Sequence, residues 1–282
     1  MTNITIQDSG PLTQSLRSLL SKGITIILDT NAILSARYHV QGIPYSRESY
    51  SNLIKDAIYN QINGPDLQNC LDSFIMESEK MHKNLNELMS NPRYKLFTIP
   101  EVVSEINAGC RLLEKHKNCR IVASYFKGEP TNTLLRYFNS GIIQLENLCN
   151  LIETAQEDIL LDGPFRCDDQ YWNMIDYLCS VETSPSKPFA SNNSSGNNRQ
   201  PLNTDLHLVA TGYFTSGLYS GKSTSYGCPV AILSNDNDID SLISGGSRIA
   251  REMFPGFDLS CSKIAHRTGR LIKRTQIRHI SS

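Results

Sequence analysis

The chain has 282 residues, which is enough to bury the core of one large domain or two small ones, and we predict one domain with insertions. Its hydrophobic fraction of 39% and charged fraction of 20% are ordinary for a globular protein and exclude disordered and fibrous classes. With 27 Lys and Arg against 28 Asp and Glu, the net charge of -1 gives no overall attraction to nucleic acid, so any such attraction must be local.

The N-terminal residues lack the basic start and apolar core of a signal peptide, and no stretch approaches the roughly 18 apolar residues that span a membrane. The eight cysteines form no CxxC pair, which favours buried free thiols over a disulfide framework or a zinc site. We therefore expect a cytoplasmic protein with no membrane partner. The oligomeric state is open, and a homo-oligomer is compatible with the sequence.

Alternating strand and helix signals run along the chain. The apolar run from Ile24 to Leu28, between Gly23 and Asp29, predicts a buried strand, and further strands are predicted at 95–99 and 230–233. Apolar residues at helical spacing predict helices at 11–21, 48–60, 65–90, 101–116, 145–157, 170–181, 204–216 and 238–244. This order predicts an α/β fold with a mostly parallel sheet.

The domain layout follows from the same signals. We predict a single domain over 1–282 with helical insertions at about 36–94 and 107–202. Residues 183–204 are rich in Ser, Asn and Pro, which predicts a flexible loop. The C-terminal segment 259–282 carries lysines and arginines without an acidic residue, which is typical either of a solvated face or of a phosphate-binding strip.

Two aspartates directly follow predicted strands. Asp29 ends Ile-Ile-Leu-Asp-Thr-Asn, and Asp236 follows Ala-Ile-Leu-Ser-Asn. In an open α/β sheet the ligand crevice lies beyond the carboxyl ends of the strands, so we expect both aspartates at one edge. Each could instead start a turn or cap the next helix.

Two more acids lie on predicted helices. Glu105 is one turn into the helix after the second strand, and Glu101 is its rival because residues four apart share a helix face. Asp205 opens a later helix, with Asn203 or Thr204 available as its cap. Taken alone, Glu105 is more often a helix-dipole partner or a solvated charge, and Asp205 a favourable charge at a helix N-terminus.

Carboxylates gathered at one end of a sheet repel each other and imply a neutralising cation. Oxygen-only ligands favour Mg²⁺ or Mn²⁺, and a pair of such ions can promote in-line displacement at a phosphodiester. We therefore expect a metal site made by Asp29, Glu105, Asp205 and Asp236, with Asp238 as a further ligand.

These segments together resemble the PIN domain family of nucleases. Ile26-Ile27-Leu28-Asp29-Thr30-Asn31 is similar to the family's first motif, and Pro100-Glu101-Val102-Val103-Ser104-Glu105 to the second. Asn203-Thr204-Asp205-Leu206 resembles the helix with the third acid, and Leu233-Ser234-Asn235-Asp236-Asn237-Asp238 the last motif. The long spacings between the acids exceed those of a compact member.

The resemblance implies a three-layer α/β/α fold and endonucleolytic hydrolysis of single-stranded or structured RNA with Mg²⁺ or Mn²⁺. It implies that Asp29, Glu105, Asp205 and Asp236 are catalytic metal ligands. Asn31 and Ser234 would support the site. For RNA binding we single out Arg270, Lys273 and Arg274 in the basic segment.

Two other functions remain open. A PIN-type fold could have lost turnover and bind RNA or protein as a scaffold. Asp29-Thr30-Asn31 also resembles the start of haloacid dehalogenase phosphatases, although Asn31 cannot act as the acid of that family. The lone Trp172 and Tyr171 are expected in the core rather than as a base-stacking platform.

Overall fold

The computed structural model describes residues 16–17, 19–30, 32–33, 64–118, 129–154, 161, 164–181, 203–220, 229–234, 236–254, 258–264 and 271–278. Within these residues, five strands form one sheet: β1 (Thr25–Leu28), β2 (Leu96–Phe97), β3 (Pro229–Leu233), β4 (Asp258–Ile264) and β5 (Leu271–Arg278). The strand order is β2-β1-β3-β4-β5. Strands β1 to β4 run parallel, and β5 pairs antiparallel with β4.

In the described part of the chain, the α-helices with defined bounds are α1 (Gly64–Met89), α2 (Pro100–Lys117), α3 (Glu129–Thr154), α4 (Asp169–Cys179), α5 (Asn203–Ser220) and α6 (Asn237–Met253). A 3-10 turn, Pro164–Cys167, precedes α4. Helix α3 packs against α1 and α2, whereas α5 packs against β3, β4, α4 and α6. This mixed α/β architecture is compatible with three layers around a mostly parallel sheet.

Strand β1 lies inside the sheet, between β2 and β3, and all four of its residues are buried. Gly23 ends the preceding turn with a φ of 75°, a conformation that glycine adopts without a steric penalty. Ile26 then pairs with Leu96 on one side and with Ala231 on the other. The ends of β1, β2 and β3 therefore share one edge, and Asp29 lies on it.

Helix α5 lies close against the sheet at Gly212. A Cβ atom at this position would lie 2.8 Å from the Cδ1 atom of Leu259 in β4, and 3.3 Å from that of Ile232 in β3. A side chain at this position would force Leu259 or the helix to shift, whereas glycine fits without a change. Helix α5 is therefore packed closely on β3 and β4 at this residue.

The α/β class and the mostly parallel sheet are confirmed, as are the first three strands. The sheet is larger than expected, because β4 and β5 occupy the segment that was interpreted only as basic. Helix α3 begins at Glu129, well before the predicted 145. The predicted helix at 48–60 lies outside the described residues.

Three smaller expectations are also settled in part. Most of the predicted flexible loop lies outside the described residues, but its last two residues, Asn203 and Thr204, already belong to α5. The thiols of Cys167 and Cys179 are exposed, so the prediction of buried cysteines is wrong for these two. Among the helices that the structure describes, none combines the length and the apolar character needed to traverse a bilayer.

Candidate metal centre

The structure brings five carboxylates to the edge where β1, β2 and β3 end. We call them the carboxylate cluster: Asp29, Glu105, Asp205, Asp236 and Asp238. One carboxylate oxygen from each of the last three aspartates lies within 4.8 Å of those of the other two. The remaining two acids are joined to this group through hydroxyl side chains.

Ser234 connects the acids of the two central strands. Its Oγ donates a hydrogen bond to Oδ2 of Asp29 at 2.6 Å and accepts one from the backbone N–H of Asp236 at 2.9 Å. Strands β1 and β3 are paired in register up to Leu28 and Leu233, so the residues that follow them meet. Ser234, expected as a supporting residue, is buried and contacts the side chain of Asp29 and the backbone of Asp236.

Glu105 is held by two threonines that neighbour cluster aspartates in the sequence. The hydroxyl of Thr30, next to Asp29, donates to Oε2. The hydroxyl of Thr204, next to Asp205, donates to Oε1 at 2.5 Å. Thr204 was expected as a possible helix cap, but it lies inside α5 and its side chain orients Glu105 instead.

The structure places Asp236 both at a helix N-terminus and among the other acids. It is the N-cap of α6, where its Oδ1 accepts from the backbone N–H of Asp238 at 3.0 Å. The same side chain belongs to the carboxylate cluster. The cap fixes the orientation of its carboxylate, so the two roles are compatible.

Burial and repulsion raise the pKa values of two cluster acids. The pKa of Asp29 rises to about 6 because of its burial, opposed by the hydrogen bond from Ser234, and because of the charges of Glu105 and Asp236. The pKa of Asp205 rises to about 8, first through burial and then through the charges of the other four cluster acids. A cation among these oxygens would reverse this repulsion.

Glu101, the rival of Glu105, belongs to a second group of side chains. Arg166 binds both of its carboxylate oxygens at 2.9 Å, and Nδ1 of His207 lies 3.8 Å from Oε1. The hydroxyl of Tyr171 lies 2.8 Å from the same Nδ1 atom. We call Glu101, Arg166, Tyr171 and His207 the arginine cluster.

The arginine cluster shows the opposite electrostatics. Burial alone would raise the pKa of Glu101, but the hydrogen bonds and charge of Arg166 outweigh it and hold that pKa below its usual range. Burial lowers the pKa of His207. Glu101 is therefore neutralised by its own partner and is not an equivalent alternative to Glu105.

The other predicted site residues are only partly described. Asn31 and Arg270 lie outside the described residues. Lys273 and Arg274 lie in β5, where the structure describes the backbone and not their side chains. The expectation that Tyr171 is in the core is confirmed, whereas Trp172 is exposed.

No family model, no curated protein and no solved structure matches this chain. A functional assignment therefore depends on the positions and chemistry of the residues described above.

Proposed function

We propose that this chain is a PIN-type ribonuclease that hydrolyses RNA phosphodiester bonds with Mg²⁺ or Mn²⁺. The observation that supports the proposal is the burial of Asp29 and Asp205 beside three further carboxylates. Burying an acid among acids costs stability unless the site is used to bind a cation. The donors are all carboxylate oxygens, the ligand type that these two ions prefer.

Each group of residues has a definite part in this proposal. Asp205, Asp236 and Asp238 present oxygens close enough together to share an ion. Ser234 and the two threonines fix the carboxylates of Asp29 and Glu105, so that their orientation is set before metal arrives. A bound divalent ion supplies a water of lowered pKa and neutralises charge on the phosphate.

RNA would approach an edge that carries negative charge without metal. Metal binding by the cluster therefore also serves substrate binding, since a polyanion is repelled until the carboxylates are neutralised. The basic segment at 259–282, with Arg270, Lys273 and Arg274, would supply the remaining attraction to phosphate. The free thiols of Cys149, Cys167 and Cys179 agree with a reducing compartment such as the cytoplasm.

The deciding experiment is cleavage of an end-labelled single-stranded RNA with and without millimolar Mg²⁺ or Mn²⁺. We expect cleavage with metal and none with EDTA. Asp29→Asn and Asp205→Asn keep the side-chain shape and should reduce the rate on the order of a thousandfold. Asp72→Asn, which removes an exposed carboxylate paired with Arg136 on the helical insertion, is the matched control and should cleave normally.

Other outcomes would favour the other functions. RNA binding without cleavage in either metal would favour an inactive scaffold. Hydrolysis of a phosphomonoester that is lost with Asp29→Asn, together with intact RNA, would favour a phosphatase. Normal cleavage by Asp29→Asn and Asp205→Asn would show that these acids are structural.

A further inference from the structure

Trp172 is exposed although its sequence neighbour Tyr171 is buried. Its exposed fraction is 48%, and it is the one aromatic among the large hydrophobic side chains that the described residues leave exposed: Met76, Leu135, Ile143 and Trp172. A single exposed apolar side chain is ordinary on a protein surface. The contacts of Trp172 and its position are what distinguish it.

The indole ring is held in place. Its Nε1–H donates to the backbone carbonyl of Arg166 at 2.9 Å. The ring also meets Tyr171 and His207 edge to face, with centroids 5.7 and 5.8 Å apart and interplanar angles of 89° and 86°. An exposed ring that is already ordered loses little conformational entropy when a ligand binds.

The residues that hold the ring lie on the elements that carry the carboxylate cluster. His207 is on α5, two residues after Asp205. Arg166 is bound by Glu101, which precedes Glu105 on α2 by one helical turn, roughly 6 Å. The indole therefore contacts the arginine cluster, two of whose members, Glu101 and His207, lie on the helices that carry Glu105 and Asp205.

The charges around the ring favour a base over a phosphate. The backbone carbonyl of Arg166 accepts from the indole, and the guanidinium of this residue binds Glu101 through both of its terminal nitrogens. A phosphate would compete with a carboxylate that is held at short range, whereas an aromatic face attracts a nucleobase without any charge. Bases in a duplex are stacked on each other and closed to such a contact.

We propose that Trp172 is a stacking platform for an unpaired nucleobase of single-stranded RNA that lies across the carboxylate cluster. This inference rests on the proposed nuclease function and names its substrate class. It makes single-stranded RNA the substrate, because the cluster acts on a strand whose neighbouring base lies against the indole. Trp172 is a binding residue and takes no part in the reaction itself.

The first test uses the fact that the chain has one tryptophan, so fluorescence excited selectively in tryptophan reports on Trp172 alone. Asp29→Asn protein is titrated with a short oligoadenylate RNA and with a blunt RNA duplex. We expect saturable quenching by the single strand and none by the duplex. Equal quenching by both, or no quenching by the single strand, overturns the proposal.

The second test separates stacking from simple apolar contact. Trp172→Phe keeps an aromatic face, Trp172→Leu keeps apolar volume without one, and Trp172→Ala removes both. We expect Leu and Ala to weaken binding of the single strand about tenfold, and Phe to stay within about threefold of wild type. Ile143→Ala, an exposed apolar position on α3, is the control and should bind normally.

The melting temperatures of the Phe and Leu variants are measured first. Their affinities for RNA are compared only if these temperatures agree, so that a loss of folding cannot explain a difference in binding. If Leu binds single-stranded RNA as tightly as Phe, the ring face has no role and the proposal is wrong. Binding of a protein partner at Trp172 would leave all four affinities for RNA equal.

Cleavage kinetics distinguish this inference from the proposed function. In an active enzyme, Trp172→Leu should increase KM about tenfold, with a smaller fall in kcat. If the wild type cleaves RNA and this variant has an unchanged KM, the stacking role of Trp172 is wrong, while the proposed nuclease function is retained. If the wild type does not cleave, the nuclease fails, while the fluorescence titration still decides whether Trp172 stacks on a base.

Discussion

Two glutamates on one face of α2 have opposite surroundings. Glu101 is bound through both oxygens by Arg166, so burial has not made it harder to ionise. Glu105, one turn later, accepts hydrogen bonds only from neutral hydroxyls in the contacts that the structure describes, and it adds to the repulsion on Asp29 and Asp205. A buried acid with its own cation is structural, whereas acids buried together need one from outside.

The largest effect on stability should come from breaking the ion pair between Glu101 and Arg166. Glu101→Gln removes the negative charge that both terminal nitrogens of Arg166 contact, and solvent screens this pair little because its side chains are only 16% and 18% exposed. We expect the free energy of unfolding to fall by about 2–3 kcal/mol. Chemical denaturation with and without metal measures it.

The exposed pair Arg136–Asp72 provides the control for that variant, with side chains 65% and 40% exposed. Asp72→Asn should cost less than about 0.5 kcal/mol because solvent screens the pair. Equal losses in Glu101→Gln and Asp72→Asn would contradict the structural role of the arginine cluster.

The second prediction concerns pH, to which the two clusters respond in opposite directions. The unfolded chain releases the proton of Asp205 near pH 4, whereas the folded protein holds it up to about pH 8. The folded state therefore binds more protons, and the free energy of unfolding of the metal-free protein falls as pH rises. Below about pH 6.5 the lowered pKa of His207 has the opposite effect on the free energy of unfolding. There the unfolded chain binds the histidine proton more readily than the folded protein does, so stability rises with pH.

Between about pH 6.5 and 8, of these two residues only Asp205 changes its contribution, because His207 is already largely neutral in both states. In EDTA we expect the free energy of unfolding to fall by about 1–2 kcal/mol over this range. Asp205→Asn should remove most of this slope, and saturating Mg²⁺ should also flatten it. A metal-free protein with constant stability over this range would show that the carboxylates do not repel each other as the structure implies.

A smaller effect tests how the cluster is oriented. Thr204→Val keeps the shape of the side chain and removes the hydroxyl that donates to Oε1 of Glu105. We expect metal affinity to fall about tenfold, with about 1 kcal/mol less stability in the metal-bound form. Calorimetric titration with Mn²⁺ measures the affinity, and Thr154→Val, an exposed threonine at the end of α3, serves as the control.

The sequence predicted the cluster better than its surroundings. Asp29 and Asp236 could be placed together because parallel strands end at a common edge. Periodicity alone could not separate Glu101 from Glu105, since both lie on one face of α2. The difference comes from Arg166, which lies 65 residues away from Glu101 in the sequence. Arg166 is on a 3-10 turn that the sequence pattern did not predict.

The fourth and fifth strands were missed for a different reason. Leu259 and Cys261 are buried in β4 and alternate with polar residues, which is a strand signal, but the basic charge of the same segment is equally typical of a solvated face. Trp172 was expected in the core because tryptophan is mostly buried on average. Its exposure depends on the docking of α4 against α5, which is a tertiary contact.

The smallest effect concerns β5, where two of the candidate RNA-binding residues lie. If Arg270, Lys273 and Arg274 contact phosphates, replacing all three by Ala should reduce the slope of log affinity against log salt by about 2. Binding of the single strand is measured in Asp29→Asn protein across salt concentrations. An unchanged slope would mean that the cations which hold the RNA lie elsewhere on the protein.

The order of strands in the sheet also determines when the carboxylate cluster can assemble during synthesis. Strand β3 lies between β1 and β4, and the hydrogen bond from Ser234 to Asp29 joins residues 205 positions apart. Until β3 and the residues after it leave the ribosome, the edge lacks Asp236, Asp238 and one of the two strands that pair with β1. A nascent chain therefore assembles the carboxylate cluster only after Asp238 has been made, and the nuclease that we propose would be inactive until then.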